Sequence, residues 1–281
     1  MNTDLEIGFM QGRLSPVVNG LIQSFPWTNW QQEFQIAESI GFGLMEWTID
    51  QDRLYENPLL TLDGREKIRA LSQEHGVNVN SLTGDCFMQA PFWKSNNKEH
   101  DDLLKDFVLV IESCAAVGIS IVIIPLVDNG RLENSQQENM LVSDLQEMTE
   151  LFLKHNIQVM FESDFSPSEL LRFIERLDST VFSINYDIGN SAALDFDPVE
   201  EIKVYGHRIG NVHIKDRVLG GTTVPLGEGA ADFIKVFSAL NEAQYKGKYI
   251  LQTARANDDD HAGVLCKYRE MVNDWLKLYG T

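Results

Sequence analysis

Three side chains that can bind a divalent metal ion follow short apolar segments in the second half of this sequence. Glu162 lies in the segment FES, Asp187 in NYDIGN and His213 in NVHIKDR. Each comes at the end of a run of residues that is typical of a buried strand. Oxygen and nitrogen donors of this kind suit Mg, Mn, Co or Zn, so we predict a site for one divalent cation.

A fourth strand-like segment, YILQTAR, carries Gln252 in the corresponding place. The amide oxygen of glutamine can bind a metal ion, but the side chain neither takes up nor releases a proton near neutral pH. Each of the four residues alone could be a polar strand end that bonds to a neighbouring loop. Four such residues in equivalent places, about one strand–helix unit apart, favour a shared site instead.

These residues require a fold that brings successive strand ends together. Eight segments rich in β-branched and aromatic residues alternate with amphipathic stretches such as 29–41, 99–118 and 138–156. This alternation predicts an α/β protein, a single (β/α)8 TIM barrel that spans residues 1–281 as one domain. The predicted strands are 5–11, 44–50, 78–84, 120–127, 157–163, 181–187, 209–215 and 248–253.

Two long connections should lie beside the predicted site. Residues 12–28 and 85–98 both follow predicted strands, and the loops after barrel strands form the catalytic face of this fold. The motifs GxGxxG and GxxxxGK[ST] are absent, so the sequence supports neither dinucleotide binding nor a P-loop.

Composition narrows the class of protein. Hydrophobic residues make up 43% of the chain and charged residues 23%, which is ordinary for a globular protein. No segment approaches the ~18 uninterrupted apolar residues of a membrane helix, and no secretory signal is visible. Three widely spaced cysteines favour a reducing cytoplasm. A net charge of −19 disfavours binding to nucleic acid.

The segments FES, NYDIGN, NVHIKDR and GGTTVPLGEGAADF resemble the sugar phosphate isomerase/epimerase family of xylose isomerase-like TIM barrels. That family includes ketose 3-epimerases and hydroxypyruvate isomerase-like proteins. The resemblance implies a small sugar or sugar phosphate as substrate and one divalent cation held by Glu, Asp, His and a second Glu. It assigns the first three ligands to Glu162, Asp187 and His213, and places Gln252 in the fourth position.

The resemblance also implies a mechanism, from which Gln252 departs. In the epimerases, two glutamates transfer protons on opposite faces of an enediolate that the metal stabilises. Glu162 matches the glutamate that removes the proton next to the carbonyl, but a neutral amide cannot return one. Isomerisation with Glu162 as its single base is therefore favoured over two-base epimerisation. A catalytically impaired carbohydrate-binding or regulatory barrel is the alternative.

Six further residues are candidates for substrate binding or for support of the site. Lys215 and Arg217 could hold substrate oxygens or a phosphate, although ion pairs at the mouth would explain them equally well. Asn190 could contact a hydroxyl group or cap a helix. The remaining candidates are Arg255 for a phosphate, Glu228 for orienting His213 or its loop, and Glu46 for a base from another strand.

Two further expectations concern partners. A DNA-repair endonuclease would share the barrel, but such enzymes use a His-rich metal site and a basic surface, whereas this chain has six histidines and a net charge of −19. Barrels of the family often pair, so a homo-oligomer is possible.

Overall fold

Eight parallel strands form a closed ring. The computed structural model describes residues 7–280. Strands adjacent in sequence pair with each other, and the first pairs with the eighth, which closes the barrel. The predicted (β/α)8 barrel is confirmed, with part of the first predicted strand outside the described residues. The eight strands are Ile7–Met10, Leu44–Thr48, Asn78–Thr83, Ile121–Leu126, Gln158–Ser163, Phe182–Asp187, Ile209–Ile214 and Lys248–Leu251.

Helices follow the strands and cover the outside of the ring. The predicted stretch 138–156 forms two helices, because the backbone leaves helical values at Met148. The α-helices are Gln32–Ser39, Leu62–His75, Asp85–Gln89, Asn97–Val117, Ser135–Glu147, Thr149–His155, Pro167–Ile174, Ile188–Ala193, Pro198–Tyr205, Phe233–Glu242 and His261–Tyr279. Short 3-10 helices span Leu54–Glu56, Pro58–Leu60, Phe92–Lys94, Asp128–Gly130 and Gly206–Arg208.

Local sequence signals set several helix ends. Ser166 and Glu169 form a reciprocal capping box at the start of Pro167–Ile174, with Pro167 in the first turn. Gly76 and Gly118 end their helices with φ of 66° and 90°, a left-handed conformation that glycine adopts without steric cost. These ends fix where each helix returns the chain to the ring.

The core has an outer and an inner part. Aromatic side chains such as Phe107, Phe152 and Phe182 pack edge to face between strands and helices. A separate buried cluster consists of Met10, Leu44 and Ile250. Alternate residues of a strand share a face, so Glu46 lies on the face of Leu44, and Gln252 on the face of Ile250. The inner face therefore changes from apolar to polar towards the carboxyl ends of the strands.

The barrel has one additional two-stranded ladder, which the sequence did not predict. Asp216–Arg217 pairs antiparallel with Thr223–Val224 directly after the seventh strand. This hairpin carries the chain into the PLGEG loop beside the barrel mouth. Within residues 7–280, no helix is long and apolar enough to cross a bilayer.

Candidate functional site

Glu162, Asp187 and His213 meet at the carboxyl end of the ring. They come from the fifth, sixth and seventh strands, and Asp187 is the direct register partner of His213. One donor atom from each residue lies within 4.8 Å of the others, and all three side chains are buried. Two carboxylates and an imidazole at this spacing can hold one divalent cation.

The orientation of His213 is set by carboxylates at both ring nitrogens. Its Nε2 lies 2.7 Å from Oε1 of Glu46, which also accepts a hydrogen bond of 2.7 Å from Thr83 Oγ1. Its Nδ1 lies 3.2 Å from Oε2 of Glu162 and 3.1 Å from Nδ2 of Asn185. The Glu46 carboxylate at Nε2 fixes the ring, and it makes Nδ1 a better metal ligand once Nδ1 has lost its proton.

These contacts shift the pKa values of His213 and Glu162. Burial lowers the pKa of His213, but the Glu46 and Glu162 carboxylates outweigh it and raise the pKa to about 10. Burial raises the pKa of Glu162, but its contacts with His213 and the charge of Lys215 bring it below its ordinary value. Glu162 is therefore ionised at neutral pH and can act either as a ligand or as a base.

Asn190 links the two carboxylates. Its Nδ2 donates a 2.6 Å hydrogen bond to Oε1 of Glu162, and its backbone N–H donates to Oδ1 of Asp187 at 2.8 Å. In the second bond Asp187 is the N-cap of helix Ile188–Ala193 and Asn190 lies inside that helix, so the predicted capping role of Asn190 is wrong. Its contact with a substrate hydroxyl group stays a prediction.

Lys215 connects Asp187 with Gln252. Its Nζ donates to Oδ2 of Asp187 and to Oε1 of Gln252, at 3.1 Å each. Burial and the charge of Glu162 raise the pKa of Asp187, and Lys215 opposes them. The ammonium group thus competes with a metal ion for the same two oxygens. Gln252 remains able to offer its carbonyl oxygen if Lys215 turns away.

A cavity of about 630 Å³ opens above these residues. Its floor includes Glu162 and Gln252, and residues 20–23 of the long first connection form part of its rim. Both long connections predicted to lie at the site line the cavity. Residues 85–98 do so through Asp85 and Met88. Among the six supporting candidates, Lys215, Arg217 and Asn190 line this cavity.

The other three candidates lie elsewhere. Glu46 is fully buried beneath His213, so the geometry disfavours contact with substrate or action as a base. Arg255 donates to the backbone oxygen of Ser15 and thereby holds the first connection, which leaves its predicted phosphate contact without structural support. Glu228 is exposed, and its predicted contact with His213 is not formed.

Asp216 performs the loop-orienting role that the sequence analysis gave to Glu228. Its Oδ2 accepts hydrogen bonds of 2.9 Å from the N–H groups of Gly227 and Gly229, and its Oδ1 accepts one of 3.1 Å from Ala231. A Cβ on Gly229 would lie 2.1 Å from that carboxylate, so the loop requires glycine there. The sequence signal was present, because Asp216 follows Lys215 directly in HIKDR and precedes a glycine-rich loop.

A second anchor holds the first connection. The Glu33 carboxylate accepts hydrogen bonds from the backbone N–H groups of Gly12 at 2.9 Å and Leu14 at 3.0 Å. Arg13 donates to the backbone oxygens of Thr253 and Ile22. These buried contacts fasten residues 12–22 over the barrel mouth, and neither was visible as a spacing pattern.

Comparison with known proteins agrees with this architecture. The family model described as xylose isomerase-like TIM barrel matches residues 34–274. The chain therefore belongs to the xylose isomerase-like TIM barrel family. Membership confirms the predicted resemblance and extends over nearly all of the ring.

Several relatives in this family are named as sugar epimerases. An L-ribulose-5-phosphate 3-epimerase, UlaE, from Escherichia coli is 27% identical over 259 residues, which cover 88% of this chain and 89% of the relative. A D-allulose 3-epimerase from Methylomonas sp., solved with D-allulose, shares 15% identity at a TM-score of 0.74, with 96% of both chains covered. The IolI protein, solved with a zinc atom, shares 17% identity at a TM-score of 0.77, covering 98% of this chain and 99% of that one.

These relatives support the prediction of an enzyme of the sugar isomerase or epimerase class. Structural similarity at such low identity establishes the shared barrel.

Proposed function

We propose that this protein is a divalent-metal-dependent epimerase or isomerase of a small sugar or sugar phosphate. The observation that carries the proposal is the cluster of Glu162, Asp187 and His213, whose donor atoms lie within 4.8 Å of one another at three successive strand ends. The epimerase activities named for relatives in the family support the reaction class.

Glu162 is the base of the proposed reaction. It is ionised, it lines the cavity, and Asn190 and Asn185 hold its two oxygens in place. It takes the proton from the carbon next to the substrate carbonyl, and the electron pair of that C–H bond enters an enediolate. Substrate hydroxyl groups can accept hydrogen bonds from Lys215 and Arg217 on the cavity wall.

Glu162, Asp187 and His213 would hold the cation, with Gln252 as a neutral fourth ligand. A divalent ion there would act as a Lewis acid that lowers the pKa of the substrate C–H group and favours negative charge on the substrate oxygens. Glu46 keeps the His213 ring in position for this role.

The cavity fits a substrate of the proposed size. A volume of about 630 Å³ lies within the range of small-molecule sites and accommodates a sugar with or without a phosphate group. Three cationic side chains line it, Lys215, Arg217 and Arg131, of which Arg131 is paired with Asp164.

One observation favours a second candidate function. The ammonium group of Lys215 joins Asp187 to Gln252, so these positions can be satisfied without a metal ion. A barrel whose strand ends are neutralised in this way could bind a carbohydrate and catalyse nothing. This candidate predicts ligand-dependent stabilisation without turnover.

Metal content and proton exchange distinguish the two candidates. The purified protein is incubated with Mn²⁺, dialysed and analysed for metal, and then incubated in D₂O with L-ribulose 5-phosphate, D-allulose and D-tagatose in turn. We expect about one equivalent of metal per chain and metal-dependent entry of deuterium next to the carbonyl of at least one sugar. Mass spectrometry and NMR report the exchange.

Glu162→Gln should abolish the exchange, because an amide cannot accept the proton. Glu112→Gln, which makes the same change on the exposed face of helix Asn97–Val117, is the matched control and should exchange normally. A Glu162→Gln variant that exchanges at the wild-type rate would exclude Glu162 as the base. A wild-type protein that is stabilised by a sugar but exchanges none would support the binding barrel.

A further inference from the structure

We propose that Asp85 is the second proton-transfer residue of this site and takes the place of the carboxylate that Gln252 lacks. The inference rests on the proposed function, and it commits that function to epimerisation: Glu162 removes the proton on one face of the carbon, and Asp85 supplies one to the other face.

Asp85 is placed over the site by a tight turn. It is the first residue of helix Asp85–Gln89, directly after the third strand and Gly84. A Cβ on Gly84 would lie 2.4 Å from the ring of Phe87 and 3.1 Å from the backbone oxygen of Ile123, so only glycine allows the chain to turn so close to the barrel. The turn brings Asp85 into the wall of the cavity that Glu162 and Gln252 also line.

The Asp85 side chain is mostly buried, and its carboxyl has no bonding partner among the described residues. The residue is 7% exposed, and within residues 7–280 no hydrogen bond or ion pair to its carboxyl oxygens is formed. Its oxygens are not among the fully buried polar atoms that lack a partner in the described residues, so they open onto the cavity.

Apart from the exposed Asp128, the neighbouring acidic side chains differ from Asp85 in this respect. Asp50 accepts hydrogen bonds from the Phe25 N–H and from Gln89, and Asp164 is paired with Arg131. Asp187 is likewise held, as described above, by Asn190 and Lys215. The Asp85 carboxyl on the cavity wall is therefore free to form hydrogen bonds with a molecule in the cavity.

Glu162 and Asp85 approach the cavity from different parts of the ring. Glu162 ends the fifth strand and Asp85 follows the third, with Pro125 and Val127 of the intervening fourth unit between them on the same wall. For inversion, a sugar in the cavity has to lie with its reacting carbon between these two carboxyls.

Glu162 and Asp85 together account for every proton that the reaction moves. Glu162 as a carboxylate accepts the proton of the broken C–H bond, and the enediolate then forms a new C–H bond with the proton of the Asp85 carboxylic acid. The products are the epimer, protonated Glu162 and ionised Asp85. One proton leaves Glu162 to solvent and one returns to Asp85, which restores the starting state without an oxidant or a second substrate.

The surroundings of Asp85 favour the protonated form that this step needs. Burial raises its pKa to about 8, with further contributions from the charges of Asp50 and Glu162, while Lys215 and Arg13 act in the opposite direction. In the proposed reaction the two carboxyls therefore have different roles. One is a base and the other an acid, the division of roles that general acid–base catalysis uses.

The test compares epimer formation with deuterium exchange. Each metal-loaded variant is incubated in D₂O with L-ribulose 5-phosphate, D-allulose and D-tagatose, and NMR follows both deuterium in the remaining sugar and the amount of epimer. In Asp85→Asn we expect epimer formation to fall at least about 100-fold. Exchange should fall by less than about tenfold, because Glu162 can still remove the proton and return deuterium to the same face.

Two further variants separate chemistry from structure. Asp85→Glu restores the carboxyl and should recover part of the epimer formation. Asp144→Asn removes another partly buried carboxyl, on helix Ser135–Glu147 away from the cavity, and should leave both activities unchanged. In the wild type, epimer formation should decline above about pH 8, where Asp85 loses its proton, whereas exchange should lack this decline.

Each of the other outcomes would contradict either the role of Asp85 or the proposed function. Epimer formation at the wild-type rate in a folded Asp85→Asn protein would refute the role of Asp85 while leaving the proposed function intact, and so would equal losses of both activities in that variant. A wild type that exchanges deuterium but forms no epimer would show a single-base isomerase. A wild type that exchanges nothing would remove the proposed function and this inference together.

Discussion

Gln252 and Lys215 determine how strongly the strand ends attract a cation. The amide carries no charge, and the ammonium group already donates to it and to Asp187. Metal binding at this site must therefore displace Lys215 from two oxygens, with one anionic ligand fewer than the related epimerase pattern has. The neutral side chain at this position should weaken the metal site without removing it.

Gln252→Glu should strengthen metal binding. The added carboxylate supplies a charged ligand, so we expect the dissociation constant for Mn²⁺ to fall at least about tenfold, which corresponds to about 1.4 kcal/mol. Isothermal titration calorimetry measures the change. Gln158→Glu adds the same charge at the opposite end of the barrel, where the fifth strand begins, and should leave the constant unchanged. An equal effect in both variants would attribute the gain to net charge alone.

The sequence predicted the metal-ligand candidates because each follows a recognisable strand. It predicted the other supporting residues less well, since Glu46, Arg255 and Glu228 occupy comparable strand-end or loop positions and only the packing separates them. Glu46 lies beneath His213, and Arg255 binds a backbone oxygen of the first connection. Asp85 was within a connection predicted to face the site, but a lone aspartate in a loop carries no signal of its burial.

At the scale of elements, the loops above the barrel are held by single buried carboxylates. Glu33 accepts hydrogen bonds from two N–H groups of residues 12–14, and Asp216 accepts them from three N–H groups of residues 227–231. Strands and helices follow periodic patterns that a sequence displays, whereas these anchors join residues through specific side-chain geometry. That difference explains why all eight strands were predicted and why the hairpin Asp216–Arg217 with Thr223–Val224 was not.

Asp216→Asn should loosen the PLGEG loop. The amide can accept at one oxygen only, and its NH₂ group would face backbone donors, so we expect a loss of about 1–3 kcal/mol in the free energy of unfolding. Urea denaturation measures the loss, and hydrogen exchange should accelerate at Gly227, Gly229 and Ala231. Asp195→Asn makes the same change at an exposed position and should alter neither quantity. Unchanged exchange in Asp216→Asn would contradict the anchoring role.

At the scale of the whole molecule, repulsion between acidic side chains lowers the stability of the folded protein. The net charge of −19 means that like charges repel across the folded protein, and salt screens this repulsion. The closed ring resists it, and we propose that the chain folds as one domain, because the first and eighth strands pair along their length.

Raising the salt concentration should stabilise the protein at neutral pH. Between 10 mM and 150 mM NaCl, concentrations chosen to shorten the Debye length from about 30 to about 8 Å, we expect the unfolding midpoint to rise by about 2 °C or more. The rise should shrink near the isoelectric point of about 4.6, where repulsion vanishes. Differential scanning calorimetry at the two pH values tests this, and an equal rise at both would show that screening is not the cause.

Closure of the ring also governs the order in which the protein can be made. Ile7 pairs with Tyr249, and Arg13 bonds to the backbone of Thr253, so the contacts that complete the barrel join residues 240 or more positions apart. The first strand leaves the ribosome long before its partner is made, and the emerging chain must keep that strand from wrong pairings until the eighth strand has emerged. Contacts of such long range are slow to form. The barrel can thus close only after the eighth strand has been made, and we expect the nascent chain to be most prone to aggregation before that strand appears.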